Sequence, residues 1–147
     1  MAVFLFNMEK VIVQSFLNAS PERIWRALTN KDEMKNWYFD IPDFKLELHH
    51  QFNFYEPGNE KKYHHLCEIT EIISERKLQH TWAYPDFSPN KTLVTWEIIA
   101  FENGCNLQLS HSGLEKFAHL GEEFSLKNFE EGWEININQS LKDFVEK

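Results

Sequence analysis

One helical pattern follows a long series of strand-like ones, and that order limits what the chain can become. Phe129, Trp133, Ile137, Leu141 and Phe144 recur at steps of four, four, four and three, which puts them on one helix face. The helix they define is announced by Gly132-Trp133 and runs nearly to Lys147. A lone amphipathic helix in a strand-rich chain has to bury its stripe on a sheet, and the space between the two is a natural ligand cavity. Burying each stripe residue contributes roughly 1.5 to 3 kcal/mol before conformational entropy is counted.

The preceding segments support such a sheet. Lys10 to Leu17 sets Val11, Val13, Ser15 and Leu17 against Ile12, Gln14 and Phe16, a β-branched alternation that predicts a strand. Ser20 is a good N-cap, Pro21 suits the first helical position, and Ile24, Trp25 and Leu28 follow at helical spacing. Asn30 with Glu33 predicts a second short helix with Met34 and Trp37 on its inner side. Beyond Pro42 the period becomes two. Phe44–Leu48, Phe52–Tyr55, Tyr63–Ile73, Lys77–Tyr84, Thr92–Phe101 and Cys105–His111 read as six further strands, making seven. The punctuation is of hairpin type: a type II turn at Pro57-Gly58-Asn59, a longer loop from Pro85 to Asn90, and a tight primed turn at Asn103-Gly104. Short connections imply antiparallel neighbours. After Gly113 a loop carrying Phe117, His119 and Gly121 leads to the last helix.

At 147 residues the chain fits one domain able to bury a core without disulfide or metal staples. Residues 1–9 read as a poorly ordered extension, since Met8 is as good a start as Met1. With 13 Phe and 5 Trp, there are more aromatics than such a core needs, which points to some of them lining a cavity. A net charge of −8 and no basic run longer than Lys61-Lys62 argue against nucleic acid as a partner and disfavour anionic membrane surfaces. Nothing approaches a membrane span or a signal-peptide core, so no membrane insertion and a cytoplasmic location are expected. Cys67 and Cys105 stand far apart, without metal or redox spacing, and read as buried reduced thiols.

Several stretches, in order, resemble one family. They are Ala19-Ser20-Pro21-Glu22-Arg23-Ile24-Trp25-Arg26-Ala27-Leu28-Thr29, Trp37 closing the second helix, Glu71-Ile72 before Leu78, Thr81-Trp82, Val94-Thr95-Trp96-Glu97, Leu107 to Gly113, and Gly132-Trp133. From about Val11 to Val145 the chain resembles the AHSA-type family, homologous to the activator of a heat-shock chaperone ATPase, within the START-like SRPBCC superfamily. The resemblance implies an α+β helix-grip fold: a curved antiparallel sheet wrapped around a long C-terminal helix, two short helices between its first two strands, and a hydrophobic pocket with no obligatory metal or cofactor. It implies no single activity, since members include co-chaperone domains and binders of lipids and polyketides. Two departures stand out. His49-His50 replaces a usual Gly-Gly pair and Cys67 a frequent Gly, which removes easy access to positive φ and predicts a narrower or reshaped pocket entrance.

Strand phase assigns the inward face. Phe52 and Phe54, Ile69, His80 with Trp82 and Tyr84, Val94 with Trp96 and Ile98, and Leu107 with Leu109 and His111 share it. With Trp37, Phe129 and Trp133 they form an aromatic-walled cavity for a flat or aliphatic molecule oriented by one or two hydrogen bonds. His111 there is either a satisfied core histidine or the anchor of a ligand's polar group. His49-His50 and His64-His65 cannot chelate as pairs, because adjacent strand residues point to opposite faces; no metal site is expected. Glu97 should face solvent, and a bulge at Glu71-Ile72-Ile73 would tip Glu68 or Glu71 inward. No Ser/His/Asp or Cys/His arrangement is specified and no catalytic residue is assigned. The expected role is binding of a small apolar molecule by a monomer or weak dimer, with a chaperone contact, or a polyketide-type cyclase or hydrolase activity, as the alternatives.

Overall fold

A computed structural model describes residues 10–56 and 62–147. The N-terminal stretch 1–9 and the Pro57-Gly58-Asn59 turn lie outside the described residues.

The order of elements is β1 (Lys10–Leu17), α1 (Pro21–Thr29), α2 (Lys31–Trp37), β2 (Gln51–Tyr55), β3 (His64–Ile73), β4 (Lys77–Ala83), β5 (Lys91–Phe101) and β6 (Gly104–Ser112). Two 3₁₀ segments (Leu114–Leu120, Glu122–Phe124) then lead to a C-terminal helix made of α3 (Leu126–Ile135), a π-helical turn (Asn136–Leu141) and α4 (Lys142–Val145). The strands form one antiparallel sheet in the order β1-β6-β5-β4-β3-β2. The fold is α+β and consistent with a helix-grip arrangement.

Both short helices start as their sequence dictates. Ser20 Oγ accepts from Arg23 N at 3.1 Å, and Asn30 Oδ1 accepts from Glu33 N at 3.0 Å. Glu33 then ties them together, accepting from Arg23 Nη1 at 2.7 Å and from Arg26 Nε at 2.8 Å. Arg23 also lies 4.7 Å over the Phe144 ring, so the same side chain joins α1 to the C-terminal helix.

Among the described residues the sheet has six strands rather than the expected seven. Phe44–Leu48 has the right alternation but no strand to pair with, because the outer edge of β2 is already occupied. The Asp43 carboxylate accepts from Asn53 N at 3.0 Å and from Asn53 Nδ2 at 3.0 Å, which blunts the edge. Phe44 is buried while Leu46 and Leu48 are exposed. Just beyond, His49 N and His50 O both bond to Ile69, so two residues face one in a bulge. His49 takes φ 70°, the backbone state that glycine adopts readily and that other residues adopt at a cost.

The β5–β6 turn also differs from expectation. Phe101 pairs with Gly104, which leaves Glu102-Asn103 as the two loop residues, and neither has positive φ; the turn is therefore not a primed one built on Asn103-Gly104. Gly104 is required for another reason: a Cβ there would sit 2.6 Å from the Leu17 carbonyl oxygen of β1.

The C-terminal helix begins earlier than expected, at the Ser125 cap, so Gly132 lies inside it and not at its start. Its stripe is buried at Phe129, Trp133, Ile137 and Leu141, but the last member is Val145 and not Phe144. Each step of four overruns an α-helical turn of 3.6 residues. The wider π turn from Asn136 to Leu141 absorbs that overrun and keeps every fourth residue over the sheet. Between β6 and this helix the expected loop is wound into 3₁₀ turns around Phe117, which is fully buried.

Every residue of the inward strand phase is buried, as are both free cysteines. The bulge in β3 falls between Ile69 and Glu71, yet Glu71 stays outside, 3.0 Å from Lys77 Nζ. Among the described residues no helix is long and apolar enough to cross a membrane.

Candidate functional site

The space between sheet and C-terminal helix is divided into a filled end and an open one. At the filled end α2 drives Trp37 and Tyr38 against Trp96, with ring centroids 6.3 and 5.9 Å from it. Trp37 Nε1 donates to the Ala27 carbonyl at 2.9 Å, so the indole is fixed to α1. What remains between Trp37, Phe52, His80 and Trp96 is a void of about 10 Å³.

At the open end a cleft of about 510 Å³ lies between β3, β4, the 3₁₀ turns and α3. That volume falls within the ~300–1,000 Å³ of small-molecule sites. Its floor is aromatic: Phe39, Trp82, Tyr84, Phe124, Phe129 and Trp133. Its rim is polar, with Glu56, Lys62, Tyr63, Glu123, Asn128 and Asn136. His65 lies in the wall, stacked on Phe54 at 4.5 Å and 11° and edge-on to Trp82 at 5.0 Å. Gly132 opens the α3 side, since a Cβ there would meet nothing within 4 Å.

A directed hydrogen-bond chain holds the floor. Trp133 Nε1 donates to His111 Nδ1 at 3.0 Å, which leaves the imidazole proton on Nε2, 2.7 Å from Thr92 Oγ1. Thr92 then donates onward to the Trp82 carbonyl at 3.0 Å. His111 is thus neutral with both nitrogens engaged inside the protein, and burial with His80 nearby pushes its pKa down to about 3. His80 is bound in the opposite tautomer: Nδ1 donates to Thr81 O at 2.9 Å and Nε2 accepts from Trp96 Nε1 at 3.1 Å. Burial lowers its pKa to about 4. His65 donates from Nδ1 to Tyr63 O at 2.9 Å, and burial holds it at about 4 as well. Tyr84 Oη accepts from Trp82 Nε1 at 2.9 Å, and burial raises its pKa well above the phenol range. At the filled end the buried Tyr38 Oη has no hydrogen-bond partner among the described residues.

Of the residues expected from strand phase and helix stripe, Trp82, Tyr84, Phe129 and Trp133 line the cleft. Trp37, Phe52, His80 and Trp96 line the small void at the filled end. Phe54, Ile69, Val94, Ile98, Leu109 and His111 line neither space and are buried in the core. His49-His50, expected at the entrance, is not part of the cleft lining, and the His49 side chain is exposed. The entrance is built instead by Glu56, Lys62, Tyr63 and the Glu122–Phe124 turn. Sequence reasoning missed these residues because they stand at strand ends and in 3₁₀ turns, where no periodicity marks an inward side chain. His65 shares parity with Cys67 and Ile69 and was legible on that ground.

Among the described residues no three His, Cys, Asp or Glu side chains converge in a metal-binding group.

Comparison with known proteins follows the fold. No curated protein matches the sequence. DynU16, from the dynemicin biosynthetic locus, superposes with a TM-score of 0.76 at 16% identity over 95% of this chain, which spans only 48% of DynU16. CV1439 from Chromobacterium violaceum gives a TM-score of 0.79 at 16% identity, covering 95% of this chain and 98% of its own. The Aha1 dimer from Colwellia psychrerythraea gives 0.72 at 20% identity, covering 93% and 96%. At these identities the likeness is one of fold. The family model described as "Activator of Hsp90 ATPase homolog 1-like protein" matches residues 18–146. The chain therefore belongs to the Activator of Hsp90 ATPase homolog 1-like family.

Proposed function

We propose that this chain, as a single domain, binds a small apolar or aromatic molecule in the cleft between the sheet and the C-terminal helix. The observation that carries the reading is the cleft itself: about 510 Å³ with a floor of six aromatic side chains, beside a region where the same residue types pack to near-closure. An apolar molecule entering it removes aromatic surface from water at roughly 25 cal/mol per Å², while the rim supplies the few polar groups that orient it. Two free buried thiols fit a reducing, cytoplasmic setting.

The test uses the two indoles in the floor. Titration with an environment-sensitive apolar dye should change tryptophan emission, and Gly132→Phe, which places a ring in the open side of the cleft, should weaken dye binding at least tenfold. Unchanged binding in that variant would overturn the reading.

Family membership favours a second reading, in which the chain contacts a chaperone and changes its ATPase rate. Added to a purified chaperone of the Hsp90 class, the protein would raise ATP turnover; no change in rate would leave the ligand reading alone.

A further inference from the structure

Among the described residues two carboxylates border the cleft, and they are provided for unequally. Glu123, 56% exposed, receives the Tyr63 hydroxyl at 2.7 Å and has Lys62 Nζ at 3.6 Å. Lys62 also leans on the Tyr63 ring at 5.0 Å, so this rim cation is already engaged. Glu56 lies deeper, its side chain 18% exposed. It accepts one backbone N–H, from Tyr63 at 3.2 Å. Among the described residues the basic group within 4.0 Å is His65, whose Nδ1 stands 3.7 Å away and whose proton is directed at the Tyr63 carbonyl. Burial keeps that imidazole neutral, so it gives Glu56 no compensating charge. Among the described residues no Lys or Arg nitrogen comes within 4.0 Å of Glu56, although the cost of burying a charge is larger here than at Glu123.

The geometry points to a cationic headgroup: the cleft takes an amphiphile whose protonated amine sits against Glu56 while its apolar part lies on Trp82, Tyr84, Phe129 and Trp133. The inference rests on the reading of the cleft as a ligand site and adds the chemical class of its occupant. A metal ion is the poorer candidate, because Glu56 and His65 supply no third ligand among the described residues. A carboxylate-headed molecule would meet Glu56 and Glu123 on a protein already carrying a net charge of −8. The aromatic floor beside Glu56 further favours a cation, through the negative faces of its rings.

Calorimetric titration with octylamine, octanol and octanoate, at a pH where the amine is protonated, separates the headgroups on a common tail. The expected order is octylammonium tighter than octanol by about tenfold or more, with octanoate weakest. Glu56→Gln should bring the amine to within about twofold of the alcohol while leaving octanol affinity unchanged. Glu56→Asp, which withdraws the charge by one methylene, should give an intermediate preference and serves if the glutamine variant does not fold. Glu102→Gln, in the β5–β6 turn away from the cleft, should leave the preference intact. An amine preference that is absent, that persists in Glu56→Gln, or that falls equally in Glu102→Gln would overturn the headgroup assignment. Octanol binding without amine preference removes only that assignment, whereas failure of all three probes to bind removes the cleft reading with it.

Discussion

Trp37, Tyr38, Trp96 and His80 at one end of the helix-covered face, and Trp82, Tyr84, Phe129 and His65 at the other, are nearly the same set of residue types. One set encloses about 10 Å³ and the other about 510 Å³. Composition therefore does not make the cleft; its covering does. At the filled end α2 supplies two large rings fixed by the Trp37 bond to Ala27. At the open end the covering helix presents Gly132 beside Phe129 and Trp133, and the neighbouring 3₁₀ turns contribute Phe124. An aromatic-rich core becomes a cavity where the covering helix leaves a position without a side chain.

The largest expected effect spans both ends, because each contains a histidine held neutral by burial. His65 and His80 have pKa values lowered to about 4 and His111 to about 3, from an ordinary value of 6.5. A histidine depressed in the folded state gives stability that is fully present above 6.5 and lost as pH falls toward its folded value, since only the unfolded chain takes up the proton. The loss is up to about 2 kcal/mol per residue by pH 5. Three such residues threaten a large part of the ~5–15 kcal/mol that a folded domain commonly has. Urea unfolding from pH 7.5 to pH 5 should show the midpoint falling steeply below 6.5; a flat profile would mean that these imidazoles are not desolvated, and that the cleft admits water to its floor.

Next in size is a contrast between the ends. Trp37→Ala removes a ring from a region with no spare volume, and should cost about 3–5 kcal/mol in denaturant unfolding. Phe124→Ala removes a ring that already borders open space, adds little new void, and should cost about 2 kcal/mol or less. Equal costs would show that the open end closes in solution.

How far the sequence discloses this difference depends on the kind of signal. Strand phase is a strict period of two, so the burial of Phe52, Phe54, Ile69, His80, Trp82, Val94, Trp96, Ile98, Leu109 and His111 follows from one choice of face. Phase says nothing of what covers that face. Trp37 and Trp82 look equivalent in sequence, and only the placement of α2 separates plug from floor. The same limit misassigned Phe44–Leu48, whose alternation is that of a strand but whose would-be partner edge is held by the Asp43 side chain. It also misplaced the entrance. His49-His50 departs from glycine, but His49 keeps a glycine-like φ of 70°, and neither residue lines the cleft that Glu56 and Lys62 border. The last stripe residue was missed for a reason internal to the helix, because a π turn is invisible to a count based on 3.6 residues.

The smallest expected effect probes the open end most directly. Gly132 lies inside α3, where glycine is destabilising by roughly 0.5–1 kcal/mol relative to alanine through its greater freedom in the unfolded chain. A Cβ added there meets no atom within 4 Å, so no packing penalty offsets the gain. Gly132→Ala should raise stability by about 0.5–1 kcal/mol, read as a higher denaturant midpoint at unchanged slope. If the cleft instead closes onto the helix when empty, the methyl group would meet the aromatic floor and the variant would lose stability. The sign of a change smaller than 1 kcal/mol thus reports whether the space beside Gly132 is kept open by the fold itself, as the unequal covering of the two ends requires.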